Sequence, residues 1–131
     1  MKSGVKKAGS EGVNVKSPLK EKSYGFAIQI VRLARQLQRD HREYVLSKQV
    51  LRSGTAIGAV VREAEFGQSR ADFLSKMSIA LKEANETEYW LSLLKDTEMI
   101  SSDHFSEIHP LSQELIAMLV ATVKTTKRVE P

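Results

Sequence analysis

The sequence predicts an all-α protein, an antiparallel up-down-up-down four-helix bundle. Three observations lead there. Apolar residues recur at three- and four-residue spacing in four long segments. No segment alternates apolar and polar residues as a half-buried strand does. The breaks between the segments are short, so successive helices must turn back and lie side by side. A chain of 131 residues, 41% hydrophobic and 27% charged, holds enough apolar material for one such domain.

In the first segment Phe26, Ile30, Ala34 and Leu37 repeat at helical spacing, with Ala27, Val31 and Leu33 beside them. Ser17-Pro18 suits a cap and first turn, but the regular pattern begins near Ser23, and Asp40-His41-Arg42-Glu43 interrupts it. The folded domain is therefore expected over residues 23–128. Residues 1–22 carry six lysines against Glu11 and Glu21 and little to bury, which reads as a disordered basic tail.

The second helix is expected from Tyr44 to Phe66, ending at Gly67, which suits the left-handed position after a helix. Its middle reads SGTAIGAVV, residues 53–61. This is no phosphate loop: Gly58 is followed by Ala59 and Val60 rather than Lys and Ser or Thr, and no strand precedes it. As a helix it places Gly54 and Gly58 on one face, where another backbone can approach closely. Nine uncharged residues cover every side of a helix, so the outer side is expected to be covered by a second copy of the chain. Gly54, Ile57, Gly58 and Val61 are the candidates for that packing, with Trp90 as a further contact residue.

The third helix is expected from about Ser69, where Ser69-Arg70-Ala71-Asp72 resembles a capping box, to Thr97. Phe73, Met77, Leu81, Ala84, Leu91 and Leu94 line one side of it. Ser101-Ser102-Asp103 starts the fourth helix, with Leu111, Leu115, Met118, Leu119 and Thr122 inward. Pro110 should break or kink the turn around Glu107–His109. Antiparallel registry about Gly67–Ser69 sets Gly58 against Ser78, Ser53 against Glu83, and Gln49 against Glu86. A buried polar layer of Gln49, Ser53, Glu83 and Glu86 follows.

Such a layer invites a di-metal reading, which requires Glu-x-x-His on two helices. None of His41, His104 or His109 stands three residues after a glutamate, so no metal and no cofactor are expected. No histidine or lysine is fixed by spacing beside a carboxylate for acid–base work either. The layer reads as ion pairs and hydrogen bonds, and the chain as no enzyme, with no small-molecule substrate in view. There is no cysteine. With no long apolar run and no apolar signal core, the expected setting is cytoplasmic and no membrane partner is expected.

Charge is segregated along the folded part. Residues 23–62 carry seven basic and two acidic side chains, and residues 63–131 carry seven basic and twelve acidic. Arg32, Arg35, Arg39 and Arg42 recur at three- and four-residue spacing and form a ridge. They are the candidate contacts to the phosphates of RNA or DNA, although no base-reading motif accompanies them. The plainer reading of the ridge is a solvated helix face. Tyr89-Trp90 point to two different surfaces and suit core or subunit contacts better than base stacking.

The stretch YVLSKQVLRSGTAIGAVVREAEFGQSRADFLSKMSIALKEANETEYWLSLL, and within it ALKEANETEYWL from Ala80 to Leu91, resembles the 23S rRNA-intervening sequence protein family. The resemblance runs from about Lys22 to Lys127 and is densest from Tyr44 to Leu94. It implies an all-α bundle that assembles into a ring-like homopentamer. Some relatives act as nucleic-acid-binding accessory proteins of reverse transcriptases, and the family offers no established catalytic residues. Its usual SGTSIGANxREAE appears here with Ala56 in place of serine and Val60 in place of asparagine. The expected function is a non-enzymatic oligomeric bundle that binds RNA or DNA weakly and without sequence preference. The alternative is a protein-interaction adaptor or scaffold ring that binds no nucleic acid.

Overall fold

The computed structural model describes residues 13–128, with side chains from Pro18 onward. Four helices fill this span: α1 (Val13–His41), α2 (Leu46–Ala64), α3 (Arg70–Asp96) and α4 (Ser102–Arg128). Among the described residues there is no strand. Each helix packs against its neighbours in the order α1–α2–α3–α4, α1 and α4 touch more sparsely, and the diagonal pairs do not meet. Lys20 bonds Glu65 and Gln38 bonds Ser47, so moving eighteen residues up α1 moves eighteen residues back along α2. These two helices are antiparallel, as the four-residue connection between them requires.

The core is a continuous column. Phe26, Ile30, Leu33 and Leu37 come from α1, Val50, Ile57 and Val61 from α2, Met77, Leu91 and Leu94 from α3, and Ile108, Leu115 and Leu119 from α4. On α4 the buried stripe is Ile108, Ser112, Leu115, Leu119 and Val123. The expected inward residues Met118 and Thr122 are only half-buried, and Leu111 is exposed.

Pro18 and Pro110 sit inside helices, one beyond the first turn expected for it and the other without the expected break. α1 begins at Val13 and continues through Pro18, with Leu19 buried, so the domain boundary expected at residue 23 falls within this helix. Residues 1–12, the rest of the expected tail, lie outside the described residues. α4 runs unbroken from Ser102 through Pro110. A proline removes one backbone donor; here Pro110 and Ser106, the residue that would have accepted, are both exposed, so water can satisfy the carbonyl. Burial of Ile108 and Ser112 on either side holds the helix to the bundle.

The helix ends are closed by specific groups. Ser69 Oγ accepts from Asp72 N at 3.1 Å, and Asp72 Oδ2 accepts from Gln68 N at 3.2 Å, a box displaced by one residue. Ser101 Oγ caps α4 through His104 N at 3.0 Å. α2 starts two residues later than expected and is capped from outside by Glu43. Its carboxylate accepts from the backbone N–H groups of Val45, Leu46 and Ser47 at 3.1, 3.0 and 2.7 Å. At the end of α3, Glu98 N donates to Lys95 O and Met99 N to Leu94 O, a Schellman closure. That closure puts Glu98 at φ 63°. Gly67 is not left-handed; a Cβ there would meet Ala64 O and Asp72 Oδ2, both at 3.2 Å.

Gly54 and Gly58 do admit a close neighbour, and it is α1. A Cβ on Gly54 would stand 2.8 Å from both Cγ atoms of Ile30, and one on Gly58 would stand 3.3 Å from Ser23 O. Ile30 is fully buried and branched at Cβ, so it cannot swing away. Gly54→Ala is therefore expected to destabilise the fold by about 1–3 kcal/mol through overpacking. Glu98→Gly relieves a left-handed residue and should stabilise it by about 1 kcal/mol. Chemical denaturation of the two variants beside the parent chain measures both shifts, which have opposite signs.

Candidate functional site

The arginine ridge lies on the outer side of α1 and its exit. Arg32, Arg35, Arg39 and Arg42 are all exposed. Arg39 donates from Nε to Asp40 Oδ1 at 2.8 Å. The guanidinium bonded to its carboxylate holds Asp40 below the usual range, and Asp40 in turn raises Arg39. Arg32, Arg35 and Arg42 have no ion pair among the described residues. Lys48, one helical step into α2, is likewise exposed and unpaired.

The polar groups between α2 and α3 are arranged differently from the layer expected. Ser53 is fully buried, with its hydroxyl 2.8 Å from Thr87 Oγ1; the single Thr87 proton goes to Glu83 O, also at 2.8 Å, so Thr87 accepts from Ser53. Gln49 is exposed, and Gly58 faces α1 while Ser78 is exposed. Glu83 and Glu86 are partly buried and converge on Arg52, which the sequence reading had left out of the layer. Arg52 Nη1 lies 3.2 Å from Glu83 Oε1, and Nη2 lies 2.6 Å from Glu86 Oε2. Trp90 Nε1 donates to the same Glu86 oxygen at 2.9 Å, and its ring meets the Tyr89 ring edge-on at 5.0 Å. Trp90 is thus half-buried against the core with its polar edge satisfied inside the chain.

A second cross-helix pair joins α3 to α4. His109 Nε2 lies 2.7 Å from Glu88 Oε2, and its ring stacks on Phe105 at 4.5 Å, while Lys95 Nζ sits 5.0 Å above the Phe105 ring. The two partners are 21 positions apart, so no local spacing announces the pair. Among the described residues no three His, Cys, Asp or Glu side chains gather as metal ligands. No described helix is long and apolar enough to cross a membrane.

Two of the hollows on the surface have large apolar linings. One, of about 490 Å³, is a groove between α1 and α2 with Tyr24, Ala59 and Phe66 along it and Lys20, Arg62 and Glu63 at its rim. Tyr24 is 60% exposed and Phe66 78%. The other, of about 440 Å³, is lined by Leu19, Val61, Phe73, Met77 and Met118 at one end of the bundle. The uncharged stretch 53–61 is largely accounted for within the chain. Ser53, Gly54, Ile57 and Val61 are buried, Thr55, Ala56, Gly58 and Val60 are half-buried, and Ala59 alone is exposed, with Thr55, Gly58 and Ala59 lining the first groove.

The Arg52 cluster has a pH signature. The hydrogen bond from Arg52, with a second from Trp90, holds the Glu86 carboxyl below its ordinary value of 4.5. A depressed carboxyl contributes stability above its unfolded value, and that contribution disappears as pH falls through the folded one. Arg52→Met should therefore be less stable than the parent at pH 7, and the gap should close as pH drops below 4.5. Urea midpoints of both chains from pH 7 to about 3 test this.

Comparisons place this geometry among known proteins. A family model described as 23S rRNA-intervening sequence protein matches residues 16–121. The crystal structure of a protein of unknown function from the S23 ribosomal protein family of Bacteroides thetaiotaomicron superposes with a TM-score of 0.80 at 53% identity. The match covers 81% of this chain and 98% of that one. No curated protein matches. Neither description states an activity. With four helices in place and the family model spanning most of the chain, this protein belongs to the 23S rRNA-intervening sequence protein family.

Proposed function

We propose that this protein is a non-enzymatic, self-associating helical bundle that binds the phosphate backbone of RNA or DNA through the basic side of α1. The supporting observation is the fate of the charges. The α3 carboxylates Glu83 and Glu86 engage Arg52 of α2, Glu65 engages Lys20, and Asp40 engages Arg39, while Arg32, Arg35 and Arg42 stand exposed without a carboxylate. Guanidinium forks left in that state suit phosphate oxygens. Binding of this kind reads no sequence, because phosphates carry none.

Self-association is proposed through the α1–α2 groove, where Tyr24 and Phe66 expose large apolar surface beside Ala59. Several copies would repeat the arginine ridge and strengthen weak contacts through avidity. The same groove supports the second reading, an adaptor or scaffold ring that holds a protein partner and binds no nucleic acid.

Fluorescence anisotropy with labelled RNA and DNA separates the two. The proposal expects binding that falls steeply between about 0.05 and 0.2 M salt. Reversing Arg32 and Arg35 to Glu should weaken it about tenfold or more at low salt. Absence of binding to any nucleic acid at about 0.15 M salt leaves the ridge a solvated face and favours the adaptor.

Light scattering tests the association. A charge at Gly58 would disturb the α1 contact itself, so the probe belongs at Ala59, which is exposed. Ala59→Arg should lower the mass while the helix content is retained. A parent chain that is monomeric at micromolar concentration overturns this part.

A further inference from the structure

The connection between α1 and α2, residues 42–45, carries a feature that phosphate contacts alone do not use. Tyr44 is 52% exposed there, and Val45 beside it 69%. Tyr44 makes no hydrogen bond or ring contact within the described residues. The other exposed aromatics have neighbours that account for them: Tyr89 meets Trp90, and Tyr24 and Phe66 line the α1–α2 groove. Helix capping does not require Tyr44, since Glu43 does that work.

The charges around Tyr44 are uneven for a physical reason. Both acidic side chains of this corner are occupied. Glu43 is turned inward onto three backbone N–H groups, where the positive end of α2 also neutralises it. Asp40 is held by Arg39. The cations Arg42 and Lys48 remain exposed and unpaired, and Arg35 follows along α1. Sequestering the anions leaves exposed Tyr44 in a segment, residues 42–48, whose unpaired charges, Arg42 and Lys48, are both positive.

The corner is also rigid. Glu43 N donates to Leu37 O at 3.2 Å, Gln38 Nε2 to Ser47 Oγ at 3.1 Å, and Gln49 N to Val45 O at 3.3 Å, with Arg42 held at φ 51°. With the backbone on both sides of Tyr44 held, only the side chain's own rotation is lost on binding.

We propose that Tyr44 is a stacking platform for an unpaired base, with Arg42 and Lys48 holding the adjoining phosphates, so that the nucleic acid taken here is single-stranded. This deepens the proposed function and rests on it. A duplex offers phosphates along its length but base faces only at its ends, whereas each base of a single strand exposes a face that an aromatic ring can cover. Stacking of this kind tolerates any base, which fits the lack of a base-reading motif.

The test compares Tyr44→Ala and Tyr44→Phe with the parent chain on labelled oligouridine and on an RNA duplex, each about 15 nucleotides or base pairs long. Circular dichroism confirms the fold of each variant. Tyr44→Ala should lose about 5- to 150-fold affinity for the single strand. Tyr44→Phe should keep parent affinity, and the duplex should bind all three chains alike. Equal single-strand affinity for Tyr44→Ala and the parent, with binding still lost on reversing Arg32 and Arg35, overturns the platform while the phosphate reading stands. Equal losses for Phe and Ala overturn stacking in favour of the hydroxyl. A parent chain that binds neither probe overturns both proposals together.

Discussion

The close approach of α1 to α2 at Gly54 and Gly58 is the constraint on which the remaining arrangement depends. Side chains normally hold helix axes 8–10 Å apart. Here Ile30 occupies the space a Cβ would take at Gly54, and the Ser23 carbonyl closes on Gly58. Ile30 is thereby driven into the middle of the column with Phe26 and Leu33. Two glycines inside a helix cost about 1 kcal/mol each in intrinsic propensity; the burial of a whole isoleucine offsets a comparable amount. With α1 seated this way, Ser53 turns toward Thr87 on α3 and Arg52 reaches over Glu83 and Glu86. One helix, α2, therefore sets the position of its two neighbours with different chemistry on each flank: bare backbone against α1, and hydroxyls and an ion-pair cluster against α3.

That asymmetry also explains where charge survives at the surface. Arg52 is surrounded by carboxylates because α3 runs alongside it, and the acidic half of the sequence is concentrated in α3 and α4. The outer side of α1 has no such neighbour. Its contact with α4 is sparse, with Lys22 paired to Glu114 near the start of the helix. Arg32, Arg35 and Arg42 lie farther along and reach no carboxylate. An exposed ion pair is worth little to stability, so leaving these arginines unpaired costs the fold almost nothing. Their contribution is to the potential at that surface.

Most of the fold was legible because its signals are local. The periodic apolar positions Phe26, Ile30, Ala34 and Leu37 are buried, and Ser69 and Ser101 cap the helices they precede. What was misread depended on rotation about a helix axis or on tertiary support. Counting residues back from Gly67 gives the height of a position on α3, but not the direction in which it faces. Hence Gln49 was placed inside and Arg52 was missed. Pro18 suits a first turn and Pro110 a break by local rules, yet both lie inside helices, each followed closely by a buried residue, Leu19 and Ser112. Glu98 carries no sign of a left-handed residue, since only the surrounding closure forces it there. The uncharged run 53–61 implied a cover without naming it; the bundle itself buries Ser53, Gly54, Ile57 and Val61, and Thr55, Gly58 and Ala59 line an open groove. The exposure of Arg32, Arg35, Arg39 and Arg42 was readable from spacing. The inward turn of Glu43, which leaves the Tyr44 corner basic, was not, because it depends on where the backbone of α2 begins.

The two surfaces proposed for use are set apart by the same helix pair. The groove with Tyr24, Ala59 and Phe66 lies toward the start of α1 and the end of α2, whereas Arg35, Arg42 and Tyr44 lie at the opposite end. From Tyr24 to Arg32, the nearest arginine of the ridge, is eight residues, about 12 Å along the axis at 1.5 Å per residue. That distance exceeds the screening length of about 8 Å at physiological salt. Charge on a nucleic acid at the basic end would be felt only faintly at the groove, and a subunit covering the groove would leave the arginines in water. Self-association and nucleic-acid contact are therefore physically separable: a substitution at Ala59 bears on the first, and substitutions at Arg35 or Tyr44 bear on the second. The antiparallel register makes this possible, because it carries the basic segment of α1 and the start of α2 to one end and the apolar groove to the other.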